Sequence, residues 1–411
     1  MHEPSNICYN TEMKFKFGLL PRIVLAIALG VLTGGFAPAV FVRAVNTFSG
    51  FFDQFIRFMV PLIIIGLVTP AIADTGRRAG KMLLVTVALA YASTLIAGLF
   101  SYSVSVGVFP SLVERGSVAA TAAGQEFPAY VKIAIPAIVD VMSALVLSFV
   151  FGLGIVFSGA ETLKNAAGEM RKVINGTIAG VIVPLLPFYI FAIFFDMTAA
   201  GKVKSVLLAF AAIVVVEALL TLAMILIQYS LAGAIAHVNP LKALGKMMPA
   251  YFTALGTSSS AVTIPVTRNQ AIAAGVRPEI ADFTVPLCAT VHLAGSTIKL
   301  VACAVALILI GGDLGRLDFA TFAQFIAMLG VMMVAAPGVP GGAVMASIGV
   351  AESLLGFGKE QIALFITLYI ATDSFGTACN VVGDGAISLV VNRIFPKKIG
   401  NEPQAEKEVK K

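Results

Sequence analysis

Six apolar runs succeed one another through the first 236 residues, near 17–42, 46–74, 82–109, 135–160, 175–197 and 205–236. Each is long enough for the roughly 20 residues a helix needs to cross the hydrocarbon core of a bilayer. In lipid a segment must satisfy its own backbone N–H and C=O groups, which leaves helices or a closed barrel. Runs this long and this continuously apolar read as helices, because barrel strands alternate.

Composition removes the water-soluble alternative. Of 411 residues, 58% are hydrophobic and 12% charged, against about 45–50% and 25% in a soluble domain. Disordered, collagen-like and coiled-coil classes fall with the same numbers. The net charge of +6 would point to nucleic acid in a soluble protein. In a membrane protein the placement of the charge matters more, and no nucleic-acid partner is expected. Cys8, Cys288, Cys303 and Cys379 show neither disulfide nor zinc spacing. With no Trp in the chain, interfacial anchoring falls to Tyr, Phe, Lys and Arg. The polar stretch to Lys16 leads into a long run without a small-residue cleavage site, so no removable signal peptide is expected.

Beyond residue 241 the texture changes. Residues 242–276 are broken around a serine run, and 281–311 are interrupted at 290–297. Residues 320–357 are broken by Pro and Gly, and 361–395 carry Asp373 and Asp384 inside an apolar run. This reads twice as a re-entrant hairpin followed by a span, the two entered from opposite faces as inverted repeats. The alternative is ten ordinary spans with glycine kinks. Interrupted segments at matching places in two halves point to a binding site near the midplane. With both termini (1–16 and 397–411) cytoplasmic, most of the 28 Lys and Arg fall inside. Lys299 alone is then left at mid-membrane. The expected architecture is all-α and polytopic, with about eight transmembrane helices plus two hairpins, in a bacterial cytoplasmic membrane.

Two segments carry chemistry. The first hairpin tip, 256–265, offers hydroxyls and backbone N–H groups that can meet a carboxylate; packing of small residues between helices is the plainer reading. On the last span Asp373, Thr377, Asn380 and Asp384 follow i, i+4, i+7, i+11, one stripe of a helix. Two carboxylates at bilayer depth with no basic neighbour in sequence require cations, since each charge costs about 2.5–3.5 kcal/mol there. A substrate ammonium for one and a metal ion or proton for the other would serve, unless a distant Lys or Arg pairs with them. Hard oxygen ligands without clustered Cys or His suit an alkali cation. No phosphate-binding loop and no H-E-x-x-H motif occurs, so neither an enzyme nor an ATP-driven pump is expected.

Thr-Ser-Ser-Ser-x-x-Thr-x-Pro from Thr257, Pro-Leu-x-Ala-Thr from Pro286, Pro-Gly-x-Pro-Gly-Gly from Pro337 and Asp-x-x-x-Thr-x-x-Asn-Val-x-Gly-Asp from Asp373 occur in this order. Over about 240–395 the set resembles the dicarboxylate/amino acid:cation symporter family, which includes the glutamate transporters. The resemblance implies a homotrimer working by an elevator movement. Scaffold helices would lie in 17–75 and 135–200, transport-domain helices at 82–109 and 205–241, hairpins at 242–276 and 320–357 (the gate), a broken helix at 281–311 and the binding helix at 361–395. It further implies that Asp373 holds the substrate amino group. Asn380, Ser259, Ser260 and the backbone of Gly338 and Val339 would contact its carboxylate, with Thr377 and Ser296 nearby. Sodium would sit on Asp384 with backbone carbonyls of Cys288, His292 and Asn380.

Three departures qualify the match. Gly376 stands where members carrying acidic substrates have an arginine, so a small neutral amino acid is the expected cargo. Ala294 replaces a carboxylate of the unwound motif, so one sodium site is expected to be lost. Lys299 lies five residues on, where its ammonium could replace the missing ion or bind a substrate carboxylate; outward snorkelling is the plainer reading. A dicarboxylate or acidic amino acid cargo, with Lys299 as anion partner and sodium or a proton as coupling ion, is the second reading. His292 reads as a helix-break residue before it reads as a proton carrier. Arg57, Asp140 and Glu217 read as structural or water-facing, and Gly152 and Gly154 as close-packing positions.

Overall fold

A computed structural model describes residues 19–396 apart from 76–80, 114–115, 117–126, 132, 202, 335 and 337–340. The two tails and the expected contacts at Gly338 and Val339 lie outside the described residues. The described residues form helices without strands. These are α1 (Leu19–Gly34), α2 (Ala39–Thr75), α3 (Lys81–Leu112), α4 (Val141–Ser158), α5 (Glu161–Thr177), α6 (Val183–Ala199) and α7 (Val203–Ala236). The second half adds α8 (Pro240–Thr257), α9 (Ser260–Ala273), α10 (Pro278–Val291), α11 (Ala294–Gly311), α12 (Phe319–Val334), α13 (Gly342–Leu355), α14 (Lys359–Ala371) and α15 (Asp373–Ile394).

Three run boundaries in the first half move, each for a local reason. The turn between the first two runs falls at 35–38 rather than near 43–45, because Gly34, Gly35 and Pro38 end one helix and open the next. The run at 135–160 is helical only from Val141, where Asp140 caps the helix by accepting the Ser143 N–H at 3.0 Å. The run at 175–197 belongs to a longer helix that starts at Glu161 and reaches Ala199. It passes through a π-turn at Ile178–Ile182, beside Pro184, which has no N–H to continue the α-ladder.

The arms of the two broken stretches are short. α8 and α9 have 18 and 14 residues, and α12 and α13 have 16 and 14. Each falls below the roughly 20 residues of a full crossing. α8 packs against α9 and α12 against α13, which is the hairpin arrangement rather than a kinked span. α10 and α11 are separated by His292 and Leu293, both in extended or irregular backbone. A further break is not visible in the sequence: the run 361–395 divides at Thr372 into α14 and α15.

Two packing groups emerge. α2 holds α4, α5 and α6, and α1 lies along α6. The second group is built on α11 and α15, which pack on each other and on α3, α7, α8, α9 and α10. α13 and α14 join the groups through α2, α4, α1 and α6. Arg57 of α2 spans part of that seam, pairing with Asp53 at 3.1 Å and with Glu352 of α13 at 2.7 Å. Of the two glycines in Gly152-Leu153-Gly154, only Gly152 is a close-packing position. A Cβ there would overlap Ile72 of α2, whereas one at Gly154 would meet open space.

Candidate functional site

Four interrupted helices meet around one small pocket. Its walls are Ser258 and Ser260 of the first hairpin, Ala289, Thr290, Leu293 and Ser296 of the α10–α11 break, Ala336 and Ala343 of the second hairpin, and Tyr369, Asp373, Thr377 and Asn380 of α14–α15. About 40 Å³ is open to the centres of water-sized molecules, on a scale where one water occupies roughly 10–15 Å³. The pocket as it stands therefore has room for only a few waters.

Each break frees backbone groups, and the side chains expected from sequence answer them. Asn380 accepts the Gly295 N–H at 2.8 Å and the Ser296 N–H at 3.4 Å, which are orphan donors of the first turn of α11. Its amide donates to Ser296 Oγ at 3.1 Å, and the Tyr369 hydroxyl donates to the same oxygen at 3.0 Å. Thr377 donates to the Asp373 carbonyl at 2.9 Å. Ser260 lines the pocket, but Ser259 serves as the N-cap of α9, accepting the Val262 N–H. Its place on the wall is taken by Ser258, which adopts a left-handed φ of 49° and shares a 2.8 Å hydrogen bond with Ser374 of α15.

The expectation that both acids lack a counter-charge within the protein is corrected. Asp373 Oδ1 accepts from Lys299 Nζ at 3.4 Å, and its Oδ2 accepts the Gly341 N–H of the second hairpin at 3.1 Å. Lys299 does not snorkel. It is wholly buried, donates also to the Tyr369 carbonyl at 3.3 Å, and lies 3.7 Å from the centre of the Tyr369 ring. Gly376 makes this possible, since a Cβ at that position would overlap Lys299 Cε. The cationic side chain thus enters from α11 into volume that a side chain on α15 would fill. Gly295 faces the same helix, where a Cβ would overlap the Gly376 carbonyl and Cys379.

Asp384 is held differently. Its Oδ1 meets His292 Nδ1 at 2.9 Å, both residues being fully buried. The other ring nitrogen faces Ser93 Oγ at 3.0 Å and Gln228 Nε2 at 3.4 Å. His292 is thus the break residue expected and also a side-chain partner of Asp384. The Cys288 carbonyl accepts the His292 N–H at 2.8 Å within the last turn of α10. Nothing in the sequence marks Ser93 or Gln228, or sets Ser258 apart from its serine neighbours. Tyr369 has a signal there, lying one helical turn before Asp373.

Together the helices define a multi-pass membrane protein whose interrupted segments meet around a polar pocket in the packed second half. The chain belongs to the sodium:dicarboxylate symporter family, whose model matches residues 19–394. It is similar to the serine/threonine transporter SstT of Acinetobacter baumannii strain AYE, 25% identical over 401 residues covering 93% of this chain and 98% of the relative. It is also similar to the serine/threonine transporter SstT of Streptococcus thermophilus strain ATCC BAA-250 / LMG 18311, 24% identical over 397 residues covering 92% and 97%.

Proposed function

We propose that this protein is a secondary active carrier that takes up a small neutral amino acid, serine or threonine, with sodium as the coupling ion. The observation that carries the reading is the meeting of Asp373, Asn380, Ser296, Thr377 and the serine tip around one small pocket. A carboxylate at the first turn of α15 suits an ammonium, and hydroxyls with freed N–H groups suit a carboxylate and a side-chain hydroxyl. The relatives' serine/threonine names support the same cargo. A dicarboxylate is the weaker fit, because Gly376 stands where members carrying acidic substrates have an arginine.

Coupling follows from differential affinity: the hairpins close well only when the charges on α15 are balanced. Sodium, carried as a second cargo beside the amino acid, would use Asp384 and the carbonyls of Cys288, His292 and Asn380. In this reading α2 and its partners form a stationary scaffold, and the α11–α15 group is the moving part. Three copies would assemble with both termini cytoplasmic. The test is uptake into liposomes under an imposed sodium gradient and then a proton gradient. Labelled serine, threonine, alanine, aspartate and succinate form the panel. Sodium-driven accumulation of serine and threonine is expected. Accumulation of succinate alone, or uptake that only equilibrates, would overturn it.

A further inference from the structure

Glu217 is a buried acid that the pocket does not use. It lies on α7 with no exposed surface. Its Oε1 accepts the Cys303 thiol at 2.9 Å, while Oε2, sealed from solvent, has no hydrogen-bond partner among the described residues. The Thr372 hydroxyl lies beside Glu217, with the carbonyls of Leu368 and Tyr369 as its acceptors at 3.0 and 3.3 Å. An unmatched carboxylate oxygen inside a membrane protein is expensive and normally marks function. Cys303 stands four residues after Lys299, so the two side chains share a face of α11 one turn apart. The head of Glu217 therefore lies about one turn from the root of Lys299.

Lys299 is meanwhile held loosely. Its contacts of 3.4 Å to Asp373 and 3.3 Å to the Tyr369 carbonyl are longer than the roughly 2.7–2.9 Å of a charge-assisted bond. A substrate ammonium arriving at Asp373 would face this second cation across one carboxylate, an arrangement that like-charge repulsion opposes.

We propose that Lys299 is a tethered counter-ion that alternates between two acids. It rests on Asp373 when the pocket is empty, and it moves to Oε2 of Glu217 when the ammonium of the substrate takes Asp373. The inference rests on the reading of the pocket as an amino acid site. It gives Glu217 the role of a positioning residue that acts on substrate only through Lys299. Each acid then has a cation beside it when substrate is bound.

The test is a double-mutant cycle on serine binding by the purified full chain at fixed, saturating sodium. Glu217→Gln is expected to weaken serine binding at least tenfold, because the displaced ammonium finds no carboxylate. In a Lys299→Met background the same Glu217→Gln change is expected to alter it less than twofold. An equal factor in both backgrounds would show a role in packing alone and overturn the proposal. If either variant does not fold, structures of the unaltered protein with and without serine decide. Serine on Asp373 with Lys299 Nζ at Glu217 Oε2 supports the proposal, and Lys299 still on Asp373 overturns it. Failure of the unaltered protein to bind serine or any neutral amino acid would overturn the site reading itself, and this one with it.

Discussion

Asp373 and Asp384 share one stripe of α15, roughly 16 Å apart along the helix axis, and yet they live in different chemistry. Asp373 lines the pocket and is held by a flexible ammonium and by one backbone N–H from a hairpin tip. Asp384 lines no part of that pocket and is held by an imidazole that Ser93 and Gln228 pin from the far side. Gly383 tightens this second setting, since a Cβ there would crowd both His292 and Gln228. In the proposed reading the first acid exchanges its partner for the substrate ammonium, while the second keeps its imidazole. An exchangeable partner suits a group that must release and rebind a substrate. A pinned one suits a group that offers a small ion a constant position.

The largest expected effect tests the exchangeable acid. Asp373→Ala removes the substrate's counter-charge and strands Lys299, and breaking a buried pair from one side costs about 3–5 kcal/mol. Serine uptake in liposomes should fall at least about 100-fold, with the protein still monodisperse in detergent. A loss below tenfold would place the ammonium elsewhere and erase the distinction between the two acids. Next in size, Asp384→Asn should raise the sodium concentration for half-maximal uptake by at least about tenfold, the effect of roughly 1.4 kcal/mol. Serine affinity at saturating sodium should change little. If serine affinity falls as far as in Asp373→Ala, the two carboxylates form one site.

Much of this comparison is legible in the sequence, and the part that is not has a physical reason. The stripe on α15 and the serine and Pro-Gly tips declare themselves because period and punctuation are local properties. The short hairpin arms follow from counting residues against bilayer thickness. Partners are not local: Lys299 and Asp373 are 74 residues apart, and Cys303 and Glu217 are 86. The absence of a basic residue beside Asp373 in sequence is therefore a poor guide to its neighbours in space. Gly376 is the clearest case. Its sequence position shows a missing side chain, and only packing shows that Lys299 fills the vacated volume. The division at Thr372 has no Pro or Gly to announce it, so a single long span is the natural expectation.

That volume supplies a third test, of intermediate size. Gly376→Ala places a methyl against Lys299 Cε, and overpacking of this kind costs about 1–3 kcal/mol. The variant should melt several degrees lower and take up serine more slowly, because the displaced Lys299 disturbs the α11–α15 packing on which the pocket is built. Shortening the intruding side chain with Lys299→Ala in the same protein should restore most of the melting temperature without restoring uptake. A double variant no more stable than Gly376→Ala would mean that the clash lies elsewhere.

The smallest effect concerns how the hairpin tip is tied to the exchangeable acid. Ser258 shares a hydrogen bond with Ser374, the residue after Asp373, so closure of the first hairpin and the position of that acid are joined by one contact. Ser258→Ala removes it at a cost of about 0.5–1.5 kcal/mol, equivalent to roughly two- to twelvefold in KM for serine. Sodium activation should be unchanged, because Asp384 has no part in this contact. Ser258→Gly separates the hydrogen bond from the backbone, since glycine adopts the φ of 49° without strain. If the hydrogen bond matters, both variants raise KM alike. If glycine behaves as serine does, the tip needs only its left-handed turn, and the contact to Ser374 is incidental to binding.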